Sequence, residues 1–421
     1  MAVSRRSRPL TVSERYYAFL DSVTPMSIVV VADFDRCLPV EHVARCWEQF
    51  IETRCLPRLR VGGDLTLYDA PADNDFQARE GAATGWDAAI GADLREPFGL
   101  DRAMRCRYLP SPAEDQARLC LVVHHAVTDG RGAMAEMQAL LRLLDGQSVP
   151  AQPDLPSPPL LRELPWQTDR QEFIALLRKI RELNDDAGQP QPQEWKQPSV
   201  FDRVPRFQTL VLEPDVTQAL LARVKREGAS VYSATAAAWL CSVAETVLGE
   251  GESTLQLATS VDLAATPADP AAARSAVVGI IARRYRVDPA DPWPLARRIR
   301  AAMTEAVDAG EGELFFELAR VQAYADVEAG ARTTARALAS APPAVSVTNM
   351  GYVDADGDPS WVRTLYANLP TAPNQLVSAP GLTYRDRIVH SISTADLQLA
   401  PHLAEALVDS YRARIRDLAN V

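Results

Sequence analysis

The stretch LVVHHAVTDGRGAMAEMQ, from Leu121 to Gln138, places two adjacent histidines between a strand and a helix. The run before them, ARLCLVVHH, is apolar and typical of a buried strand. The run after them, GRGAMAEMQALLRLLDG, has apolar residues at helical spacing, and Gly146 is placed to end that helix. The chain has five histidines in 421 residues. A pair of them where a strand meets a loop indicates a candidate functional site.

Strand patterns and helix patterns alternate on both sides of this stretch. In the first half, SIVVVADFD and AMRCRYLP predict strands, and PVEHVARCWEQFIETR predicts an amphipathic helix. The second half repeats the pattern, with strands predicted at FQTLVLE, LQLATSVDL and AVSVTNMGYV and helices at DVTQALLARVKREG, SVYSATAAAWLCSVAETVLG and PHLAEALVDSYRARIRDL. The alternation predicts an α/β or α+β fold built from two layered halves.

The chain is longer than a single hydrophobic core usually supports, so we expect two domains. Residues 1–150 form the predicted first lobe, which carries the two histidines. Residues 151–205 are rich in proline at both ends, as expected of a crossover between domains. Residues 206–421 form the predicted second lobe.

Composition narrows the class of protein. The net charge of −11 and the pI near 5.1 argue against nucleic acid as a partner. The six cysteines are scattered, without the close spacing of zinc sites or disulfide frameworks, so we expect buried thiols in a reducing compartment and no metal. No apolar segment follows the basic N-terminus, and no run reaches about 18 apolar residues. These patterns predict a cytoplasmic protein without a membrane span.

A histidine at the end of a strand is well placed for proton transfer, because the sheet holds its backbone while the ring can face a cleft. Its unperturbed pKa of about 6.5 suits a general base at neutral pH. Side chains alternate along a strand, so His124 and His125 point to opposite faces and only one can be the base. We expect Asp129 to bond an arginine or a backbone donor, and Gly130 to leave room for a substrate or a tight turn.

A purely structural interpretation is also open. Both histidines could be hydrogen-bonded residues at a sheet edge, and Asp129 could simply be the N-cap of the following helix. The capping role is compatible with either interpretation.

The segment HHAVTDG matches the motif HHxxxDG, and its flanks extend the match. RPLTVSERYYAF, REPFGLDRAMRCRYL, TSVDLAA and VSVTNMGYV fall where corresponding family segments are expected. The chain therefore resembles the superfamily of condensation domains and polyketide-associated acyltransferases. The resemblance implies two chloramphenicol acetyltransferase-like lobes, each a mixed β-sheet flanked by helices, arranged in a V with a central tunnel.

The resemblance also implies roles for single residues. His125 would be the general base, and the backbone N–H of Gly130 would stabilise the oxyanion, with Thr348 and Asn349 as further polar groups of the tunnel. His124 and Asp129 would be structural members of the motif. The reaction would move an acyl group from a carrier-protein phosphopantetheine thioester, or from a coenzyme A thioester, to an alcohol or amine. The expected enzyme is a monomer of natural-product or lipid biosynthesis, with no tightly bound cofactor and no metal.

One position departs from the family pattern. Where a VDLR-like segment would have arginine, this chain has Ala264. Asp129 would then pair with Arg274 or Arg131, or the loop would be held in another way. Two alternatives follow for the function, namely a related enzyme that cyclises a tethered chain, and a non-catalytic docking or scaffold protein.

Other charged or titratable residues have weaker patterns. Three arginine clusters could dock an acidic carrier protein or the phosphates of coenzyme A, but each is better explained as a solvated face of a helix or strand. These clusters are Arg54, Arg58 and Arg60; Arg283, Arg284 and Arg286; and Arg297, Arg298 and Arg300. His390 and His402 have no partner motif, so we expect core or surface roles.

Overall fold

The computed structural model describes residues 6–152, 154–158, 162–192, 204–249, 251–264, 275–314 and 324–420. Helices and strands alternate along these residues. The strands are β1 Ser7–Pro9, β2 Ser27–Phe34, β3 Leu59–Val61, β4 Thr66–Asp69, β5 Phe76–Ala78, β6 Met104–Ser111, β7 Gln116–His124, β8 Pro205–Leu212, β9 Ser253–Asp262, β10 Val278–Val287, β11 Ala344–Val353, β12 Val362–Asn368, β13 Gln375–Tyr384 and β14 Arg387–Ala395. The α-helices are α1 Val12–Asp21, α2 Val40–Thr53, α3 Trp86–Asp93, α4 Gly130–Leu144, α5 Arg170–Ala187, α6 Pro214–Arg226, α7 Val231–Val243, α8 Pro292–Asp308, α9 Val327–Ser340 and α10 Pro401–Ala419.

The first of two large sheets holds the double histidine. Its described strands run in the order β12-β2-β7-β6-β5, and β7 lies antiparallel to both β2 and β6. Its central strands are buried almost throughout, which explains why their sequences are continuously apolar. His124, the last residue of β7, pairs with Ser27 at the start of β2. The sheet therefore holds the backbone of the histidine pair at the end of its central strand.

The second large sheet lies in the second half of the chain. Its described strands run in the order β10-β9-β11-β13-β14-β8, with β11 parallel to β9 and β13 and the remaining pairs antiparallel. Helices α6, α7, α8 and α10 share one hydrophobic core with these strands. A small sheet of β1, β4 and β3 completes the described strands.

The predicted fold class is confirmed, and each strand and helix predicted above occurs within one or two residues of its expected bounds, except that α7 ends at Val243 and continues as a π-helical turn, Ala244–Leu248. The range 206–421 was expected to form one lobe, but its strand β12 pairs with β2 and so belongs to the first sheet. The pairing covers the edge of β2, which would otherwise expose unpaired backbone groups. The sequence of β12 cannot reveal this, because an apolar strand fits either sheet.

Helix α7 is the most apolar helix of the second half. With the π-helical turn that follows it, it forms Val231–Leu248, the one segment in the described residues that is long and apolar enough to cross a membrane. Two thirds of that window (67%) is buried inside the protein, against α8 and α10. The segment has the burial of a core helix, and its alanines allow that close packing.

Candidate functional site

A cavity of about 690 Å³ lies between the two halves of the chain. One wall comes from α1, the residues after β7 and the start of α4, and the other comes from α8, β9, β10, β11 and β13. Apolar side chains contribute to both walls, among them Leu20, Met26, Ile280, Met303 and Leu369. The cavity is large enough for a small molecule, and its lining suits an apolar one.

His125 lines this cavity directly after β7. Its Nδ1 lies 3.2 Å from the carbonyl oxygen of Thr128. A carbonyl can only accept, so Nδ1 carries the hydrogen and Nε2 carries the lone pair. Burial lowers the pKa of His125 to about 4, so the ring is neutral at neutral pH. The arrangement can therefore accept a proton at Nε2.

The ring of Tyr17, on α1, lies flat against the ring of His125. Their centroids are 3.5 Å apart and their planes differ by 7°. Tyr17 also lines the cavity, and its neighbour Tyr16 meets it edge-on with centroids 5.3 Å apart. Burial, with the neighbouring Tyr16 and the Asp129 carboxylate, raises the pKa of Tyr17. Tyr17 therefore stays neutral and presents a π face to the imidazole.

His124 is held on the opposite side of the chain. Its Nδ1 accepts from the N–H of Ala126 at 3.1 Å, so its Nε2 carries the hydrogen and donates to the carbonyl of Gly99 at 3.2 Å. The ring also stacks on Phe98, with centroids 5.6 Å apart. Burial lowers the pKa of His124, as it does for His125. Because both nitrogens have protein partners, His124 has no lone pair for proton transfer.

Asp129 and Gly130 form the start of α4. Asp129 is the N-cap, and its buried carboxylate accepts from the N–H of Gly132 at 2.9 Å. Gly130 is the first helical residue, a position whose N–H the helix itself leaves without a partner. A Cβ on Gly130 would meet Met350 at 3.5 Å, an ordinary contact. Gly130 and His125 line the same cavity, and the positive end of the helix dipole lies at this start of α4.

Thr348 and Asn349 lie on β11 and line the opposite wall. The Asn349 Oδ1 accepts from the N–H of Gly351 at 2.9 Å, which fixes that side chain near the cavity mouth. Ser346 and Ser378 lie on the same sheet face and add hydroxyl groups. This wall offers hydrogen bonds across from the apolar face of α1.

Arg131, one of the two arginines considered as partners of Asp129, forms an ion pair with Asp262. The Arg131 guanidinium lies 3.5 Å from the carboxylate of Asp262 at the end of β9, so this pair joins the two halves across the cavity. Asp262 also accepts from the N–H of Ala264 at 3.1 Å. Arg274, the other arginine considered for Asp129, lies outside the described residues.

The three arginine clusters are largely engaged within the protein. Arg54 makes two 2.8 Å bonds to the buried carboxylate of Glu136. Arg283 forms a buried ion pair with Glu311, and Arg300 donates to a backbone carbonyl. The expectation of solvated faces is wrong for Arg54 and Arg283, which are buried with their carboxylate partners. These contacts do not favour docking of phosphate or of an acidic partner at these two residues.

Metal and cofactor binding have few candidate groups here. Among the residues that the structure describes, no three His, Cys, Asp or Glu side chains are grouped so that they could hold a metal ion. The polar groups that line the cavity are mainly hydroxyls, with some amides and charged groups. A thioester substrate without a resident cofactor stays a prediction.

Sequence reasoning missed two contributions to the site. Tyr17 was noted only as part of an opening segment, and the pair of Tyr232 and Thr259, which share a hydrogen bond on the far wall, was not noted at all. Both depend on side chains far apart in the chain. The sequence signal for Tyr17 is the adjacent aromatic pair Tyr16 and Tyr17 within the family-like segment RPLTVSERYYAF.

The chain is similar in sequence and in fold to known proteins. Residues 202–394 match the family model described as the phthiocerol/phthiodiolone dimycocerosyl transferase C-terminus. No curated protein sequence matches the chain. Many solved structures match it, and those described next cover nearly its full length.

Three of these structures illustrate the kinds of protein that share the fold. Trichothecene 15-O-acetyltransferase from Fusarium sporotrichioides is 12% identical with a TM-score of 0.70, and the match covers 99% of this chain and 95% of that one. Polyketide synthase associated protein 5 from Mycobacterium tuberculosis is 16% identical with a TM-score of 0.63, and 98% of each chain is covered. A peptide synthetase cyclization-docking bidomain from Sorangium cellulosum is 16% identical with a TM-score of 0.66, covering 98% of this chain and 84% of that one.

At this level of identity the structures establish the fold. With the family match, they confirm the resemblance to the superfamily of condensation domains and polyketide-associated acyltransferases, which has the two-lobed chloramphenicol acetyltransferase-like fold. Transferases and a cyclization domain share that fold, so the reaction must be argued from the site.

Proposed function

We propose that this protein is an acyltransferase that moves an acyl group from a carrier-protein or coenzyme A thioester to an alcohol or amine, with His125 as general base. The observation that carries the proposal is the state of the His125 ring. Its Nδ1–H is committed to the Thr128 carbonyl, while the ring lines a cavity formed by both halves of the chain. The lone pair of Nε2 is therefore available to a bound acceptor.

The proposed reaction needs one base and no covalent intermediate. Nε2 of His125 takes the proton as the acceptor oxygen or nitrogen attacks the thioester carbonyl. A tetrahedral oxyanion forms, the C–S bond breaks, and the departing thiolate receives the proton from the imidazolium. The products are an ester or amide and a free thiol. A thiol with a pKa of about 8.5 is a good leaving group, which makes a metal unnecessary.

The oxyanion needs a donor near the base. The Gly130 N–H suits this role because it belongs to the first turn of α4 and because Gly130 lines the same cavity as His125. Thr348 and Asn349 lie across the cavity and are weaker candidates for contact with the acyl group or acceptor. Asp129 acts through the helix that it caps.

A second candidate function is cyclisation of a chain tethered to a carrier protein. The similarity in fold to a peptide synthetase cyclization-docking bidomain favours it. The base would be the same, but the acceptor would be part of the donor molecule. A docking or scaffold role has less support, because a scaffold does not need a buried histidine in this tautomer at a cavity.

The experiment is detection of acyl transfer by intact mass. A panel of carrier-bound and coenzyme A thioesters is offered with pooled alcohols and amines to the wild type, to His125→Ala and to His402→Ala. His402 is exposed on α10, so its variant is a matched control for the loss of one histidine. We expect His125→Ala to lower the rate by about 10²- to 10⁴-fold.

Each outcome decides between the candidates. Ester or amide product that depends on His125 supports the proposal and identifies the donor. A cyclised product formed without an acceptor would favour the second candidate. Equal rates in wild type and His125→Ala, or no turnover of any thioester, would contradict the proposed acyltransferase.

A further inference from the structure

The His125 imidazole lies between two neutral groups. On its edge, Nδ1–H donates to the Thr128 carbonyl, and on its face lies the ring of Tyr17 at 3.5 Å and 7°. Both contacts fix the plane of the ring, because rotation about the Cβ–Cγ bond would break the hydrogen bond and the stack together. The position of Nε2 in the cavity is thereby set by two independent elements, the loop after β7 and helix α1.

When the base takes a proton, its ring becomes positively charged inside a buried site. In many enzymes a carboxylate accepts a hydrogen bond from the second nitrogen of the catalytic histidine and stabilises the imidazolium. Here a carbonyl occupies that place, and the carboxylate of Asp129 accepts from the N–H of Gly132 at the helix start. The π face of Tyr17 is stacked on the ring itself, and its quadrupole attracts a cation.

We propose that Tyr17 is a positioning residue for His125, which holds the plane of its ring and favours its protonated form during transfer. This inference rests on the proposed function of His125 and adds a residue to it. The contribution requires the aromatic face of Tyr17, while the hydroxyl group is dispensable. Phenylalanine should therefore replace tyrosine, whereas an aliphatic side chain of similar bulk should not.

The test compares Tyr17→Phe with Tyr17→Leu. For the donor and acceptor found with the wild type, we expect Tyr17→Leu to lower kcat by about 5- to 30-fold with KM changed by less than about 3-fold. Tyr17→Phe should retain most of the wild-type kcat. Equal loss of kcat in both variants would overturn the proposal, and so would a loss that appears only in KM.

A second measurement does not depend on turnover. Titration of the His125 ring by NMR should give a lower pKa in Tyr17→Leu than in Tyr17→Phe, because only phenylalanine keeps the π face. The other titratable or charged groups that line the cavity are Tyr16 on α1, Asp129 and Arg131 at the start of α4, Tyr232 on α7, Asp262 on β9, and Arg300 and Asp308 on α8; His124 on β7 also lowers the pKa of His125. All of them are the same in both variants, so the difference isolates the ring at position 17.

The two readouts separate the two proposals. An inactive wild type with a lower His125 pKa in Tyr17→Leu would sink the acyltransferase while supporting the pairing of Tyr17 with His125. An active wild type with equal His125 pKa values in Tyr17→Leu and Tyr17→Phe would support the acyltransferase and overturn the proposed role of Tyr17. If Tyr17→Leu does not fold, as judged by circular dichroism, Tyr17→Met supplies an unbranched aliphatic replacement for the same comparison.

Discussion

His125 and His390 are buried histidines in the two halves of the chain, and they differ in what surrounds the ring. Burial lowers the pKa of each to about 4. His390 lies on β14 in the second sheet, with the ring of Tyr411 edge-on at 5.7 Å. Neither of its nitrogens has a hydrogen-bond partner among the described residues. His125 has one nitrogen bonded and the other available at a cavity.

The comparison shows that a lowered pKa does not identify a catalytic histidine. Burial alone produces it, and packing in a core buries a ring as well as a binding site does. What distinguishes His125 is a fixed tautomer, a cavity and a helix start beside it. His390 lies against the ring of Tyr411, and the absence of a Cβ at Gly381 is what leaves room for its ring.

The largest effect that sharpens this comparison is expected at Gly130. Proline is well tolerated at the first position of a helix, and Asp129 before it is extended, yet proline removes the N–H. We expect Gly130→Pro to lower kcat by about 10²- to 10³-fold if this N–H binds the oxyanion. Steady-state kinetics with the donor identified above measure it.

Gly130→Ala is the matched control, because it adds a side chain and keeps the N–H. Its Cβ would meet the flexible end of Met350 at an ordinary distance. We expect a loss of less than about ten-fold, well short of the loss expected for proline. A similar loss in both variants would mean that space is required at this position, and the oxyanion donor would have to be sought on β11.

Acid should destabilise the protein through its buried histidines. A folded-state pKa of about 4 at His390, against about 6.5 in the unfolded chain, means that the unfolded state binds more protons between these values. Stability is therefore complete above pH 6.5 and falls as the pH decreases toward 4. At pH 5, one such histidine costs about 2 kcal/mol relative to neutral pH.

The variant His390→Leu tests how much of the acid destabilisation comes from His390. The decrease in the free energy of unfolding between pH 7 and pH 5, from urea titrations, should be about 2 kcal/mol smaller than in the wild type. His124 and His125 act in the same direction, so part of the decrease remains. The exposed His402→Ala should keep the wild-type pH dependence. An unchanged decrease in His390→Leu would show that its ring is already solvated in the folded state.

Much of the fold could be predicted because its local patterns agree with the final structure. β7 and α4 are examples, since an apolar strand, a capping aspartate and an amphipathic helix each follow from adjacent residues. The motif likewise located His125 and Gly130 on one loop. The wall that they share with the second half could be predicted only through the family resemblance.

The rest depends on contacts between distant parts of the chain. Nothing in the sequence of β12 indicates that it pairs with β2, and nothing in α1 indicates that Tyr17 stacks on a histidine 108 positions later. The pairing of Arg131 with Asp262 is of the same kind. Such contacts are set by how the two halves pack together, and a single sequence carries no record of that packing.

Loss of the cap at Asp129 should have a moderate effect on stability. Asp129→Ala removes the acceptor for the N–H of Gly132, so we expect a loss of about 0.5–2 kcal/mol in the free energy of unfolding. Asp129→Asn keeps a side-chain oxygen at the cap and should lose less. If Asp129→Asn lost as much stability as Asp129→Ala, the negative charge of Asp129 would be what holds the loop that presents His125. His390 lies within a strand and needs no such loop.

The smallest effect is expected at the ion pair of Arg131 with Asp262. Their side chains are 56% and 30% exposed, and the closest N–O distance is 3.5 Å, so solvent screens the attraction. A double-mutant cycle of Arg131→Gln and Asp262→Asn should give a coupling of about 0.2–1 kcal/mol that decreases at high salt. This chain has Ala264 where the family segment has arginine. Coupling well above 2 kcal/mol would imply that the pair of Arg131 and Asp262 holds the His125 loop in place of that arginine. The difference between His125 and His390 would then extend to a charged link between the two halves.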